Sequence, residues 1–168
     1  MRVRSWVAGL FVFGATTCLL TAPASASGPV YTIPLINKHS DKCAAVPGGS
    51  RVIQTQLIQF TCEPSATDQY WDATFQGRDA YGNPEYTFEN DKTGMCMEAA
   101  GGHGGPVWQN NCAGFSEAQL WSWDQGNRLH NLSTGECLAV PASQLGNGVK
   151  LIHYTCSGNA DQVWGPKP

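Results

Sequence analysis

One nine-residue phrase occurs three times in this 168-residue chain, and that repetition limits the fold more than any other feature. It runs Leu35-Ile-Asn37-Lys-His-Ser40-Asp41-Lys-Cys43, then Phe88-Glu-Asn90-Asp-Lys-Thr93-Gly94-Met-Cys96, then Leu129-His-Asn131-Leu-Ser-Thr134-Gly135-Glu-Cys137. In each copy Asn stands six residues before Cys, Ser or Thr three before, and Gly or Asp two before. The phrase reads as apolar strand, polar turn, second strand. Asn and Asp suit the turn because their side chains bond the local backbone, and Gly has no Cβ to clash at left-handed φ.

Each copy continues in the same way. A loop rich in turn formers follows: Pro47-Gly-Gly-Ser50, Gly101-Gly-His-Gly-Gly105 and Gly146-Asn-Gly148. A strand then ends in a second cysteine: Leu57-Ile-Gln59-Phe60-Thr-Cys62, Val107-Trp-Gln109-Asn110-Asn-Cys112 and Leu151-Ile-His153-Tyr154-Thr-Cys156. Every unit closes on Gln-x-Trp, at Gln69-Tyr-Trp71, Gln119-Leu-Trp121 and Gln162-Val-Trp164. The Trp-to-Trp steps of 50 and 43 residues leave room for four short strands per repeat. Strand alternation shows in Tyr31–Leu35 and Tyr86–Phe88, and no stretch after the leader sustains a helical apolar pattern. Twelve short strands in three similar units cannot bury their apolar faces singly, so they are expected to close on one another as a barrel capped by hairpins.

The start of the chain bears on its compartment. Arg2 and Arg4 precede an apolar run from Trp6 to Leu20, and Ala24-Ser25-Ala26 offers a small-x-small cleavage pattern. This reads as a secretory signal peptide over residues 1–26, cut after Ala26, and predicts a secreted, extracellular protein. The run is too short and too rich in Gly and Thr for a membrane span. One domain is expected over 27–168, with repeats near 30–78, 79–125 and 126–168. Loss of Arg2 and Arg4 leaves eight basic and thirteen acidic side chains, a formal charge of −5. That balance argues against nucleic acid and against anionic membrane surfaces. Six cysteines remain after Cys18 is removed, and an even number in an exported chain reads as disulfides. The repeat layout makes Cys43–Cys62, Cys96–Cys112 and Cys137–Cys156 the natural pairs. No Cys-x-x-Cys spacing supports a metal site, and no cofactor is expected.

Three in-register repeats, each with a cysteine pair and a closing Gln-x-Trp, resemble the ricin-B-type β-trefoil lectins over the whole chain after the leader. The resemblance implies an all-β trefoil with pseudo-threefold symmetry, three core Trp, and up to three shallow sugar pockets named α, β and γ in chain order. In that family a pocket combines an Asp two residues after the first cysteine and an aromatic two before the second. A polar residue before Gln-x-Trp and that Gln itself complete it. The chemistry follows from the sugar: its C–H face lies on an aromatic ring, and a carboxylate makes charge-assisted bonds to its hydroxyls.

This chain departs from the pattern at every pocket. The Asp position holds Ala45, Glu98 and Ala139; the aromatic position holds Phe60, Asn110 and Tyr154; the position before Gln holds Asp68, Ala118 and Asp161. Each pocket nevertheless keeps one carboxylate, from one side or the other. The expected sugar contacts are therefore Asp161, Tyr154 and Gln162 in γ, with His153 beside the ring, and Asp68, Phe60 and Gln69 in α, with Gln59 beside its ring. Glu98 is the acid of β, where Asn110 offers no ring and the cysteine loop is three residues shorter, so β is expected to be structural.

Three classes of function come into question for such a chain. The four His residues are scattered, no catalytic motif is present and paired cysteines leave no thiolate, so catalysis is not expected. Weak, multivalent carbohydrate binding through α and γ is the first reading. The alternative is a degenerate trefoil that recognises a protein partner, as a toxin subunit or inhibitor does.

Overall fold

Residues 28–166 are described in this computed structural model. The leader expected over residues 1–26 lies outside them. The first repeat supplies β1 (Val30–Pro34), β2 (Ile36–Asn37), β3 (Lys42–Ala45), β4 (Ile58–Thr61) and β5 (Tyr70–Arg78). The second supplies β6 (Pro84–Asn90), β7 (Cys96–Ala99), β8 (Val107–Asn110) and β9 (Trp121–Trp123). The third supplies β10 (Leu129–Asn131), β11 (Cys137–Ala139), β12 (Val149–Lys150), β13 (Ile152–Tyr154) and β14 (Trp164–Gly165). Four strands per repeat were expected; Leu35 and Leu151 each split one of them, which yields fourteen segments. The only helical pieces among the described residues are five three-residue 3-10 turns.

Six runs form a closed barrel. β1 pairs with β5, β5 with β6, β6 with β9 and β9 with β10, all antiparallel. β14 returns to β2, and a bridge between Arg128 and Val163 joins the strands on either side of the last gap. The hairpins β3–β4, β7–β8 and β11–β13 cap one end. They meet in a triangle of backbone bonds: the Leu57 N–H donates to Val107 O at 2.9 Å, Val107 to Leu151 at 3.1 Å, and Leu151 to Leu57 at 2.8 Å. Closure leaves few free edges, which keeps an all-strand protein from pairing with its own copies.

The core has the same symmetry. Its sixteen buried apolar residues are five threefold sets plus Ala73: Leu35/Phe88/Leu129, Ala44/Met97/Leu138, Val46/Ala99/Val140, Leu57/Val107/Leu151 and Trp71/Trp121/Trp164. The three Trp are fully buried, and each Nε1–H donates to a carbonyl in its own repeat, at Ala44, Met97 and Leu138, over 2.9–3.2 Å. An indole buried with its one polar atom satisfied carries a large apolar area without a desolvation cost. All three disulfides join the expected pairs within repeats.

The repeated Asn explains why the phrase is so regular. Its Oδ1 accepts turn N–H groups, from His39 and Ser40, Lys92 and Thr93, or Ser133 and Thr134. Its Nδ2 reaches across to the repeat before it in the ring, donating to the carbonyl of Asp161, Asp68 or Ala118. One buried amide thus shapes its own turn and fixes the residue that precedes the neighbour's Gln-x-Trp. Among the described residues no helix is long and apolar enough to cross a membrane.

Candidate functional site

The γ surface holds a concavity of about 610 Å³ between β11, β13 and the turn before Gln162. Tyr154, Asp161 and Gln162, three of the residues expected there, line it together. Ala139 forms its floor, and Ser143, Ser157 and Asn159 stand on its rim. Tyr154 is 46% exposed, so its ring is a surface platform and not core filling. Asp161 is only 8% exposed, and its Oδ1 is buried with no hydrogen-bond partner among the described residues. The Gln162 Oε1 accepts the Ser157 N–H at 2.6 Å, and one amide hydrogen goes to Thr155 O at 2.9 Å. Its second amide hydrogen has no acceptor there, because Ala139 replaces the acid that takes this bond in the second repeat.

That second repeat shows what the acid does when present. Glu98 Oε1 accepts from Trp108 Nε1 at 2.8 Å and Asn110 Nδ2 at 3.1 Å, and Oε2 accepts from Gln119 Nε2 at 2.8 Å. Both oxygens are committed inside the protein. The β surface therefore offers neither a ring at the aromatic position nor an idle carboxylate.

The α surface has the right residues in a tighter place. Phe60 is 41% exposed and Asp68 is half-buried. The Asp68 carbonyl, not its carboxylate, holds the local backbone, accepting from Val46 N–H at 3.0 Å and Asn90 Nδ2 at 2.9 Å. The stem of Lys92, from the second repeat, lies against the Pro47–Gly49 turn: a Cβ on Gly49 would be 3.2 Å from Lys92 Cγ and 3.8 Å from Asp68 Cβ. Arg51 donates to the Lys92 carbonyl at 2.8 Å and ties that segment down. Gln69 spans from Glu63 N–H to Thr61 O, the same loop-holding role that Gln162 has.

Two expected contacts are corrected. Gln59 and His153 are expected beside the rings, but both are fully buried and face the opposite side of their strands. Gln59 Nε2 donates to the carbonyls of Gln144 and Gly146, and its Oε1 accepts from Ser40 Oγ. His153 Nε2 donates to Ala100 O at 2.9 Å, and its Nδ1 meets Glu136 Oε2 at 2.5 Å. Adjacent strand residues point to opposite faces, so a ring at the surface puts its neighbour inside.

The γ rim lies outside the contacts expected from the sequence. Ala142 and Ser143 both sit at φ of 51°, left-handed backbone that costs a side-chain-bearing residue roughly 1 kcal/mol. The matching residues in the first repeat are Gly48 and Gly49, at 58° and 61°. Alignment of Pro47-Gly-Gly with Pro141-Ala-Ser was the signal available. Elsewhere, His130 or Glu89 approaches a cysteine pair in a cluster of metal-ligand type, but in each both sulfurs are in a disulfide and provide no thiolate.

Known proteins agree with this architecture. A designed threefold-symmetric protein, ThreeFoil, superposes with a TM-score of 0.69 at 24% identity, over 79% of this chain and 95% of that one. The Rhizoctonia solani agglutinin gives 0.68 at 19%, over 85% and 96%. The C-half of an earthworm R-type lectin, solved in complex with GalNAc, gives 0.60 at 15%, over 79% and 95%. At these identities the likeness is one of fold. No curated protein matches the chain by sequence. The family model of the ricin-type beta-trefoil lectin domain matches residues 31–164, nearly everything described, and the chain belongs to that family.

Proposed function

We propose that this is a secreted carbohydrate-binding protein whose working site is the γ dimple. One observation carries the reading: Asp161, the acid that lines this cavity, keeps a buried carboxylate oxygen without a partner among the described residues. A buried acceptor left unpaired costs about 1–3 kcal/mol, more when charged, so folding alone gives no reason to keep it. A sugar hydroxyl supplies the missing donor. The exposed Tyr154 ring takes the C–H face of the same sugar, and the spare Gln162 amide hydrogen meets a ring or hydroxyl oxygen. The cavity lining contains a single carboxylate, whereas glycoside hydrolysis normally employs two, so the dimple suits binding.

An open dimple of this kind binds a monosaccharide weakly, near 1 mM or about −4 kcal/mol. N-acetylgalactosamine, the sugar held by the earthworm lectin, is the natural first probe, alongside a glycan array on residues 27–168. Binding that is lost in Asp161→Ala supports the reading. A silent array ends it, and binding that survives the substitution moves it off γ.

A second reading, recognition of a protein partner, draws on the α loop. There Val52 and Ile53 are 65% and 48% exposed, near the Gly49 turn on which the Lys92 stem lies. Replacing both with Ser would abolish capture of such a partner and leave glycan binding untouched.

A further inference from the structure

We propose that the γ dimple is built by two repeats, with His103 of the second repeat as the positioning residue that holds the Tyr154 ring in place for its sugar. The inference rests on the γ reading above and adds a residue that the threefold pattern does not contain.

The second repeat's cysteine loop is the short one, and its residues 101–105 are all Gly except His103. That composition lets it lie flat on the third repeat. At Gly105 a Cβ would fall 2.1 Å from Ala100 O and 2.8 Å from His153 Nε2, so no other residue fits. At Gly104, with φ of +71°, a Cβ would stand 3.6 Å from Tyr154 Cδ2. The loop is therefore in contact with the ring.

Glu136 clamps it there. Its carboxylate bonds His103 Nδ1, His153 Nδ1 and, at 3.4 Å, the Gly104 N–H. Burial alone would raise the Glu136 pKa; the bonds from His103, His153 and Gly104, with the charge of His103, outweigh that and hold it below the usual carboxylate range. The clamp thus keeps its negative charge through neutral and mildly acidic solution. His103 then packs on Tyr154 with ring centroids 4.5 Å apart and planes at 41°, at the short end of aromatic separations.

Neither other dimple has this buttress. Lys42 and Met95 occupy the place of Glu136 in the first and second repeats, so no carboxylate can clamp a loop. The ring position of the second repeat is Asn110. Phe60 in the first has a neighbouring loop, residues 144–148, that bonds its strand at Gln59 and Thr61 but carries no ring to set against Phe60. A half-exposed Tyr with no support would have to be ordered by the sugar; one already fixed does not bear that cost at binding, an advantage of roughly threefold to tenfold in affinity.

The test is calorimetric titration with N-acetylgalactosamine, or with the strongest monosaccharide on the array, of wild type, His103→Ala and His103→Phe. The side chain is exposed, so melting temperatures should agree within a few degrees. His103→Ala is expected to bind about threefold to tenfold more weakly. His103→Phe should recover most of the loss, because it restores a ring against Tyr154. The Tyr154 ring protons should shift in both variants before sugar is added. Equal affinity in wild type and His103→Ala overturns the inference while leaving γ standing, as does a Phe variant no better than Ala. A wild type that binds no glycan removes the γ reading and this inference with it.

Discussion

Asp161 separates two roles that are usually confounded in a buried acid. Its carbonyl is structural, accepting from Val140 N–H at 3.1 Å and Asn37 Nδ2 at 2.8 Å, whereas its Oδ1 accepts nothing. Truncation to Ala leaves the carbonyl in place. Asp161→Ala should therefore cost sugar affinity roughly tenfold to a hundredfold, the 1.5–3 kcal/mol of a charge-assisted bond, while the melting temperature stays level or rises. Titration calorimetry and a thermal melt on the same sample check both halves; a large drop in melting temperature would return the side chain to a structural role. The γ rim gives a second residue-scale expectation. Ala142→Gly should stabilise the protein by about 0.5–1 kcal/mol by removing the left-handed strain, and Gly48→Ala, where a Cβ meets nothing within 4 Å, should destabilise it by a similar amount. Chemical denaturation reads both. The acid and the ring were legible in the sequence because they fall at fixed offsets from Cys156 and Gln162. The rim was not, because Ala and Ser carry no local preference for positive φ; only the surrounding packing imposes it.

Elements show the same division between periodic and local information. Leu35, Asn37, Ser40 and Cys43, with their two counterparts, were readable because every one is needed three times, for a core layer, a turn and a bridge. The β5–β6 connection lies outside the repeated phrases, yet it is heavily tied by Asp79, as the β9–β10 turn is by Asp124. The Asp79 carboxylate accepts from the Tyr81 and Asn83 N–H groups, from Asn83 Nδ2 and from Ser122 Oγ at 2.6 Å on β9. Desolvation alone would raise its pKa; these bonds more than offset it and bring the group from 3.8 down to about 2. A carboxylate whose folded pKa is depressed stabilises the fold above its unfolded pKa and loses that contribution as the pH falls through the folded value. The gap in melting temperature between wild type and Asp79→Asn should thus be constant above about pH 5, narrow below pH 4 and close near pH 2. Melts across that range measure it, and a gap independent of pH would show that the charge on Asp79 is irrelevant to the turn.

At the scale of the whole molecule, three equivalent side chains lock each cap loop to the next repeat around the ring. Gln109 donates to Ser50 O and Val52 O in the first loop, His153 to Ala100 O in the second, and Gln59 to Gln144 O and Gly146 O in the third. A rigid cap of this kind presents three dimples in fixed directions, and the sequence pattern of one acid per repeat suggested that two of them bind. The structure makes them unequal for reasons that lie between repeats, where a single repeat's motif carries no information. At β, Glu98 is consumed by Trp108, Asn110 and Gln119; at α, the Lys92 stem lies against Gly49 on the Asp68 side; at γ, the cavity is open and an acceptor is idle. Binding should accordingly show one monosaccharide per chain, and a monomer should fail to cross-link cells or gain avidity on a polysaccharide, since avidity requires a second engaged site. Lys92→Ala should open α, where Phe60 and Asp68 stand ready, and raise the stoichiometry toward two. Titration of both proteins with the same sugar decides the matter: two equal sites in the wild type would mean that Lys92 yields to the ligand, and one site in Lys92→Ala would mean that the half-buried Asp68 lacks what Asp161 has.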